Sequence, residues 1–218
     1  MMNNYKLSDV VVDAWVQGGP IDLNDLLGSV VMIEVFQVNC PGCFLHALPR
    51  AIDLHHRYAQ QGLAVIGLAT AFEDYDKNTL ENLQKLVTTG EVIGETYKAL
   101  NRYDQLSQGK LKWQIPFPLG MDRVVAETEP VTEERVCLYA TQVLPDFESR
   151  SDEQKKAILQ QVKHYLEQKS MRAETFERFA LQGTPSCILF VRKGELKDVS
   201  FGQIDYKQAM VEHFLAEK

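Results

Sequence analysis

Short apolar runs and segments of helical periodicity follow one another along the first third of the chain. Residues 30–36 and 63–69 are rich in Val, Ile and Leu, which predicts two buried strands. Between them, apolar residues recur at near-helical spacing over residues 41–61, which predicts a helix. Gly62 is then the expected stop signal of that helix.

Prolines and glycines divide the chain further. Pro49 removes a backbone donor inside the predicted helix, so we expect a kink near residues 45–48. Residues 10–16 have strand-like composition and are stopped by Gly-Gly-Pro at residues 18–20, which suits a hairpin or an edge strand. Residues 113–119 contain two prolines and are therefore predicted to be extended.

The remaining apolar patterns predict helices and a second hairpin. The helices cover residues 79–89, 95–106 and 171–181. Residues 187–191 and 196–201 predict the hairpin. Asp205 is predicted to cap a terminal helix, whose inward side chains are Met210, Phe214 and Leu215.

Residues 123–172 predict a helical insertion within a single domain that spans residues 1–218. Ser151 and Gln154 form a capping box that opens a helix. Its predicted apolar face consists of Ile158, Leu159, Val162, Tyr165 and Leu166. A polar, proline-marked segment at residues 127–146 precedes this helix. Whether the insertion restricts access to a partner or only stabilises the fold is left open.

Composition and charge exclude several classes of protein. The chain has 218 residues, of which 45% are hydrophobic, so it is long enough to bury a sizeable core. Its formal charge of -7 disfavours nucleic acid and anionic membrane surfaces as partners. No apolar stretch approaches the roughly 20 residues of a membrane span. The first nine residues lack the features of a secretory signal, so we expect a cytoplasmic protein, or a periplasmic one if a signal has been removed.

Cys40 and Cys43 stand directly between the first predicted strand and the helix, separated by Pro-Gly. At this place the unpaired N–H groups and the positive end of the helix dipole stabilise a thiolate on Cys40, which indicates redox chemistry. Two cysteines at this spacing also form half of a zinc site. The other cysteines, Cys137 and Cys187, are single and far apart, so the second half of such a site is missing.

The order of strand, Cys40-Pro41-Gly42-Cys43, helix and, far downstream, Gly183-Thr184-Pro185 before an apolar strand resembles the thioredoxin superfamily. Residues 21–28 and 62–68 resemble its TlpA/ResA-like branch and the related peroxiredoxins. The resemblance covers residues 7–70 and 175–218. It implies an α/β fold with a central mixed β-sheet flanked by helices, and a thiol-disulfide oxidoreductase that needs no cofactor or metal. The implied partners are disulfides or thiols of proteins or small molecules and a redox partner.

The cysteine pair and one acidic residue receive catalytic roles. Cys40 is expected to be the more exposed cysteine and the attacking thiolate, and Cys43 the resolving one. Glu34 lies six residues before Cys40, where thioredoxins carry a buried acid beneath the active site. Burial would raise the pKa of this carboxyl, which would then take the proton of Cys43. The alternative for Glu34 is a carboxylate that reaches solvent at an edge.

The resemblance also assigns the substrate-binding residues. Pro185 is expected to be cis, and Thr184 before it to present its backbone to a bound substrate strand. Pro41 and Gly42 complete the substrate-binding set and influence the redox poise.

Two further residues are possible modulators of the pair. His46 occupies a position where ResA-like reductases have an acid, so it is either a proton donor or thiolate stabiliser, or a half-buried helix residue. Cys187 is either a third redox thiol or a buried structural cysteine.

Two other functions remain as alternatives. A peroxiredoxin-like enzyme would share the fold, but its motif has Thr or Ser three residues before the reactive cysteine, and Gln37 is there instead. A non-enzymatic metal-binding or redox-sensing module would hold copper or zinc through Cys40, Cys43 and His46.

Overall fold

A computed structural model describes residues 5–144, 146–202 and 206–217, so the predicted cap Asp205 lies outside the described residues. Contacts between residues divide the chain into two compact units. The larger comprises the described parts of Met1–Arg123 and Ala173–Lys218, and the smaller those of Val124–Arg172. The organisation as a single domain with an insertion at residues 123–172 stays a prediction.

The described residues form helices and strands throughout both units. The strands are β1 (Ala14–Gln17), β2 (Val30–Phe36), β3 (Leu63–Ala69), β4 (Leu106–Ser107), β5 (Lys110–Leu111), β6 (Leu119–Met121), β7 (Val124–Ala126), β8 (Met171–Ala173), β9 (Ser186–Phe190) and β10 (Leu196–Phe201). The α-helices are α1 (Leu48–Tyr58), α2 (Leu80–Thr89), α3 (Gly94–Arg102), α4 (Glu133–Val143), α5 (Asp152–Gln168), α6 (Glu174–Arg178) and α7 (Lys207–Ala216). No helix in these described ranges is both long enough and apolar enough to cross a membrane.

A six-stranded mixed sheet forms the centre of the larger unit, in the order β1-β6-β3-β2-β9-β10. Strand β2 runs parallel to β3 and antiparallel to β9, and β3 runs parallel to β6. Every residue of β2 is buried, as its near-continuous apolar pattern, broken only by Glu34, predicts for a strand covered on both faces. The prediction of an α/β fold with a central mixed sheet and flanking helices is confirmed.

The segment after β2 contains the interruption that Pro49 predicts. Cys43–Ala47 form a π-helix in which the Leu48 N–H bonds the Cys43 carbonyl, and the regular helix α1 starts only at Leu48. Pro49 therefore lies in the first turn of α1, where its missing N–H leaves no hydrogen bond unmade. At the other end, α1 is followed by a 3-10 turn and by Gly62 at φ 98°, which confirms the predicted stop.

Several other predicted elements are confirmed with local differences. Thr79 caps α2, Gly90 ends it, and β9 and β10 pair as the predicted hairpin. Strand β1 is the expected edge strand, but it covers only the last part of the predicted run and extends to Gln17. In α7, Val211 is buried. The side chains that were predicted to point inward are only half-buried, namely Met210, Phe214 and Leu215.

Two predicted helices are wrong in extent. The helix predicted over residues 95–106 ends at Arg102, because Asp104 adopts a positive φ and Leu106 then pairs with Leu111 in the β4–β5 ribbon. The helix predicted over residues 171–181 divides into strand β8 and the short helix α6.

The reason for the second error is a contact between distant parts of the chain. The Asp122 carboxylate, at the end of β6, accepts the backbone N–H groups of Thr175 and Phe176 and thereby sets the start of α6. Asp122 also accepts the hydroxyl of Thr70, and burial raises its pKa.

The smaller unit contains β7, β8 and the helices α4 and α5. The Ser151 capping box of α5 is confirmed. Of the apolar face predicted for α5, Leu166 is buried, whereas Tyr165 is exposed and lies beside the ring of Tyr139. Helix α4 lies within the polar segment at residues 127–146, for which we predicted no separate helix, and Thr132 caps it.

Candidate active site

Cys40 and Cys43 lie just after the carboxyl end of β2 and are joined by a disulfide, with their Cα atoms 5.4 Å apart. Cys40 is half-buried, whereas Cys43 is fully buried. The backbone N–H of Cys43 points at Cys40 Sγ over 3.2 Å. A backbone donor and a helix start at this place stabilise negative charge on Cys40 once the disulfide is reduced.

The loop before β9 lies against this pair. The Thr184–Pro185 bond is cis, as predicted. The Thr184 carbonyl oxygen lies 3.5 Å from Cys40 Sγ. A methyl group placed on Gly42 would lie 3.8 Å from Pro185 Cδ, so the Pro41-Gly42 turn and the cis-proline are in near contact. The structure therefore brings together the predicted residues of the cysteine turn and of the Gly183-Thr184-Pro185 loop.

Gln37 belongs to the same site, although the sequence analysis used it only to argue against a peroxiredoxin. Its side chain is 2% exposed. Its Nε2 donates to the Glu73 carbonyl over 3.2 Å, and its Oε1 accepts the Thr184 hydroxyl over 3.1 Å. The only sequence signal is a polar amide directly after a wholly apolar strand end, which predicts no particular partner.

Asn39, the residue before Cys40, is held by three further hydrogen bonds. Its backbone N–H donates to Asn78 Oδ1, its side-chain amide donates to Asp74, and its side-chain oxygen accepts the Glu95 N–H. The backbone that leads into Cys40 is therefore tied to the loop after β3 and to the start of α3. Sequence reasoning also missed this residue.

Glu34 is buried in the middle of β2, with 2% of its surface exposed, so the alternative of a carboxylate that reaches solvent is wrong. Its Oε2 lies 3.7 Å from Lys207 Nζ, on the first residue of α7. Burial raises the pKa of Glu34, and the charges of Lys207 and Arg50 partly oppose this shift.

The side chain of Glu34 is on the face of β2 that meets Lys207 of α7. Phe36 is two residues further along the strand and therefore on the same face, and its ring meets that of Phe44 at 6.2 Å. Phe44 follows Cys43 directly in the π-helix. The buried carboxyl thus shares a face of β2 with Phe36, whose ring meets the residue that follows the resolving cysteine. Its role as a base stays a prediction.

Cys187 pairs with Glu34 across β9 and β2 and is 1% exposed. Burial raises the pKa of its thiol to about 12, so the thiol is protonated near neutral pH. Lys207 contacts both groups, and although burial opposes its charge, attraction to Cys187 and Glu34 raises its pKa overall. This environment favours the structural interpretation of Cys187 over that of a third redox thiol.

Two other residues that the sequence analysis considered are exposed. His46 is exposed on the π-helix, and its predicted modulating role stays a prediction. Cys137 is exposed on α4 in the smaller unit. Within residues 5–144, 146–202 and 206–217, no three His, Cys, Asp or Glu side chains are grouped closely enough to hold a metal ion.

Comparison with known proteins gives a short sequence match. No protein-family profile matches the chain. A segment of 70 residues is 37% identical to Protein DipZ of Mycobacterium tuberculosis, which corresponds to 31% of this chain and 10% of DipZ. The match thus spans about a tenth of the length of that relative.

The similarity to solved structures is more extensive. A thiol-disulfide isomerase from Corynebacterium glutamicum matches with a TM-score of 0.61 and 25% identity over 100% of both chains. A thioredoxin-like superfamily protein matches with a TM-score of 0.59 and 23% identity over 98% of this chain and 97% of that protein. Because this agreement extends over the chain as a whole rather than over the cysteine motif alone, the chain has a thioredoxin-like fold.

Proposed function

We propose that this protein is a thiol-disulfide oxidoreductase that uses Cys40 and Cys43 as its redox pair. The observation that carries this proposal is the disulfide itself, placed at a helix start and within 3.5 Å of the cis-proline loop. The half-buried Cys40 is open to a second disulfide, whereas the buried Cys43 is open only to Cys40. Membership of the TlpA/ResA-like branch, the physiological partners and the cellular compartment stay predictions.

The reaction begins with the reduced pair. The Cys40 thiolate, stabilised by the Cys43 N–H, attacks one sulfur of a substrate disulfide. A new S–S bond to Cys40 forms, and the other substrate sulfur leaves as a thiolate. Cys43 then loses its proton and attacks Cys40 Sγ, and the second substrate sulfur leaves. The substrate gains two electrons, and the pair is oxidised to the disulfide.

Glu34 is the base that we assign to the proton of Cys43. A carboxylate whose pKa is raised by burial is a stronger base than an exposed one, which matches it better to a thiol near neutral pH. The positive charge of Lys207 attracts the Glu34 carboxylate and so favours its deprotonated form, which is the form that can accept a proton.

The substrate surface consists of the Pro41-Gly42 turn and the Thr184–Pro185 bond. An extended peptide next to Cys40 would pair with the backbone of Thr184, in the manner of strand addition. Because such pairing uses backbone groups, it accepts many sequences. We therefore propose protein or small-molecule disulfides and thiols as the substrate class, with a second thiol system as redox partner.

Substitution of each cysteine by serine tests the assigned roles. Cys40→Ser is expected to abolish the acceleration of insulin reduction by dithiothreitol, whereas Cys43→Ser is expected to retain the first attack and to accumulate mixed disulfides. Cys137→Ser is the matched control and should leave turnover unchanged, because Cys137 is not part of the Cys40-Pro41-Gly42-Cys43 motif. Equal trapping by both active-site variants would overturn the roles, and full activity of Cys40→Ser would overturn the function.

Glu34→Gln tests the base. In single-turnover measurements, release of the mixed disulfide is expected to slow by about 100-fold near neutral pH, the lower end of what a general base contributes. The attack by Cys40 should keep its rate, because the group that faces Cys40 Sγ is the Cys43 N–H and not Glu34. An equal loss in both steps would contradict a role in deprotonating Cys43.

A further inference from the structure

The buried amide of Gln37 connects two separate loops beside Cys40. It donates to the Glu73 carbonyl, in the loop after β3, and accepts the hydroxyl of Thr184, in the cis-proline loop. No strand pairing joins these two loops in the described part of the sheet, since β3 and β9 lie on opposite sides of β2. Gln37 spans the gap because it directly follows β2.

The orientation of this amide is determined by its surroundings. The Glu73 carbonyl is an acceptor only, and it also receives the side-chain amide of Asn78 over 2.9 Å. The Nε2 group of Gln37 must therefore face Glu73, which leaves Oε1 for Thr184. The Thr184 hydroxyl therefore donates to Gln37 Oε1, and this bond holds the Thr184 side chain. The carbonyl of the same residue lies 3.5 Å from Cys40 Sγ.

We propose that Gln37 is a positioning residue that determines specificity for peptide disulfides, by holding Thr184 in the conformation that an extended peptide requires. This inference rests on the proposed thiol-disulfide exchange. A peptide that pairs with the Thr184 backbone benefits because the loop is already ordered, since ordering it during binding would cost conformational entropy. A small disulfide that reaches only Cys40 does not use this backbone and gains nothing from Gln37.

The proposal separates Gln37 from the redox chemistry. The donor that stabilises charge on Cys40 is the Cys43 N–H, and the buried acid is Glu34 on β2. The Gln37 amide reaches Thr184 and Glu73 instead. Loss of Gln37 should therefore alter peptide binding and leave the Cys40 thiolate unchanged.

The test compares two substrates in four variants. The substrates are a disulfide-bonded peptide and the small disulfide 5,5′-dithiobis(2-nitrobenzoic acid). The variants are Gln37→Leu, Thr184→Val, their double mutant and the conservative Thr184→Ser, which keeps the hydroxyl. Thr184→Val removes the same hydrogen bond from a half-buried position without changing side-chain shape, so it serves as the test even if Gln37→Leu fails to fold.

We expect KM for the peptide disulfide to rise about tenfold in Gln37→Leu and in Thr184→Val, the size of one lost hydrogen bond. The double mutant should be no worse than Gln37→Leu alone, because Gln37→Leu already removes the bond that Thr184→Val removes. Thr184→Ser should restore the wild-type KM. In Gln37→Leu the rate with the small disulfide and the pKa of the Cys40 thiol should be unchanged, because its amide contacts neither cysteine.

The possible failures are distinct. If the wild-type protein reduces neither disulfide, the oxidoreductase function and this inference fall together. If the wild type is active but the variants lose activity toward both substrates by equal factors, the positioning role of Gln37 is refuted and the function stands. The same conclusion holds if the KM effects of the two single substitutions add in the double mutant.

Discussion

The buried pair of Glu34 and Lys207 is accessible to a direct thermodynamic test. Lys207 Nζ lies 3.7 Å from Glu34 Oε2, and their side chains are only 8% and 3% exposed. Lys207→Met keeps most of the length and apolar character of the side chain and removes its charge. The variant therefore leaves the Glu34 carboxylate buried beneath the active-site segment without its nearest cation.

The expected magnitude follows from the distance and the burial. Coulomb's law at an effective dielectric constant of about 20 gives roughly 4.5 kcal/mol of attraction at 3.7 Å. The free energy of removing both charges from water offsets part of this attraction, so the pair itself contributes less. Truncation of one partner of a buried pair nevertheless costs about 3–5 kcal/mol, because the other charge is left uncompensated. We expect Lys207→Met to lower the free energy of unfolding by about 3 kcal/mol at pH 8.

The loss should depend on pH in a defined direction. Burial raises the pKa of Glu34 above its ordinary value of 4.5, and Lys207 opposes that shift, so the variant has a still higher folded pKa. A carboxyl with a raised folded pKa costs stability as pH rises from its unfolded value through its folded value. The loss in the variant should therefore be fully developed above the folded pKa. Below pH 4.5, where Glu34 is protonated in both the folded and unfolded states, the loss should shrink or reverse, because the wild type then buries the Lys207 charge without its anion.

Urea unfolding of the oxidised proteins at pH 4 and pH 8, followed by tryptophan fluorescence, measures this difference. The control is the double variant Glu34→Gln with Lys207→Met, which buries no charge of this pair and should recover most of the stability without the pH dependence. A loss of equal size at both pH values would refute the reasoning. So would a double variant as unstable at pH 8 as Lys207→Met alone.

The two free thiols and one left-handed glycine provide further predictions. In the oxidised protein an alkylating reagent should label Cys137 rapidly and Cys187 at least about 100-fold more slowly, because Cys187 is buried and its pKa is raised to about 12; equal labelling in mass spectra would contradict this environment. Gly62→Ala should lower the free energy of unfolding by about 1–2 kcal/mol, since φ is 98° there. Gly28→Ala, at φ 95° with open space around it, is the matched control for the backbone contribution. A much larger loss at Gly62 would indicate that the methyl group displaces Arg192, whose Nη1 would lie 3.0 Å away.

The sequence by itself determined the parts of this protein that depend on neighbouring residues. The mostly apolar pattern of β2, the cysteines shortly after it and the helical spacing that follows are all local, and so is the Ser151 capping box. Gly62 ends its helix because few other residues tolerate a positive φ. These signals, together with the resemblance of the Thr184-Pro185 segment, were sufficient for the fold and the redox pair.

Only the tertiary structure decided which distant groups meet. Asp122 sets the start of α6, so the helix predicted over residues 171–181 could not be bounded correctly from its own pattern. Gln37 reaches Thr184 across 147 positions of sequence, and Lys207 reaches Glu34 because α7 packs against β2. Periodicity tells which face of a strand or helix is apolar, but the partner of a buried polar group depends on which elements pack together. Which elements pack together is determined by the apolar surface that the whole core buries.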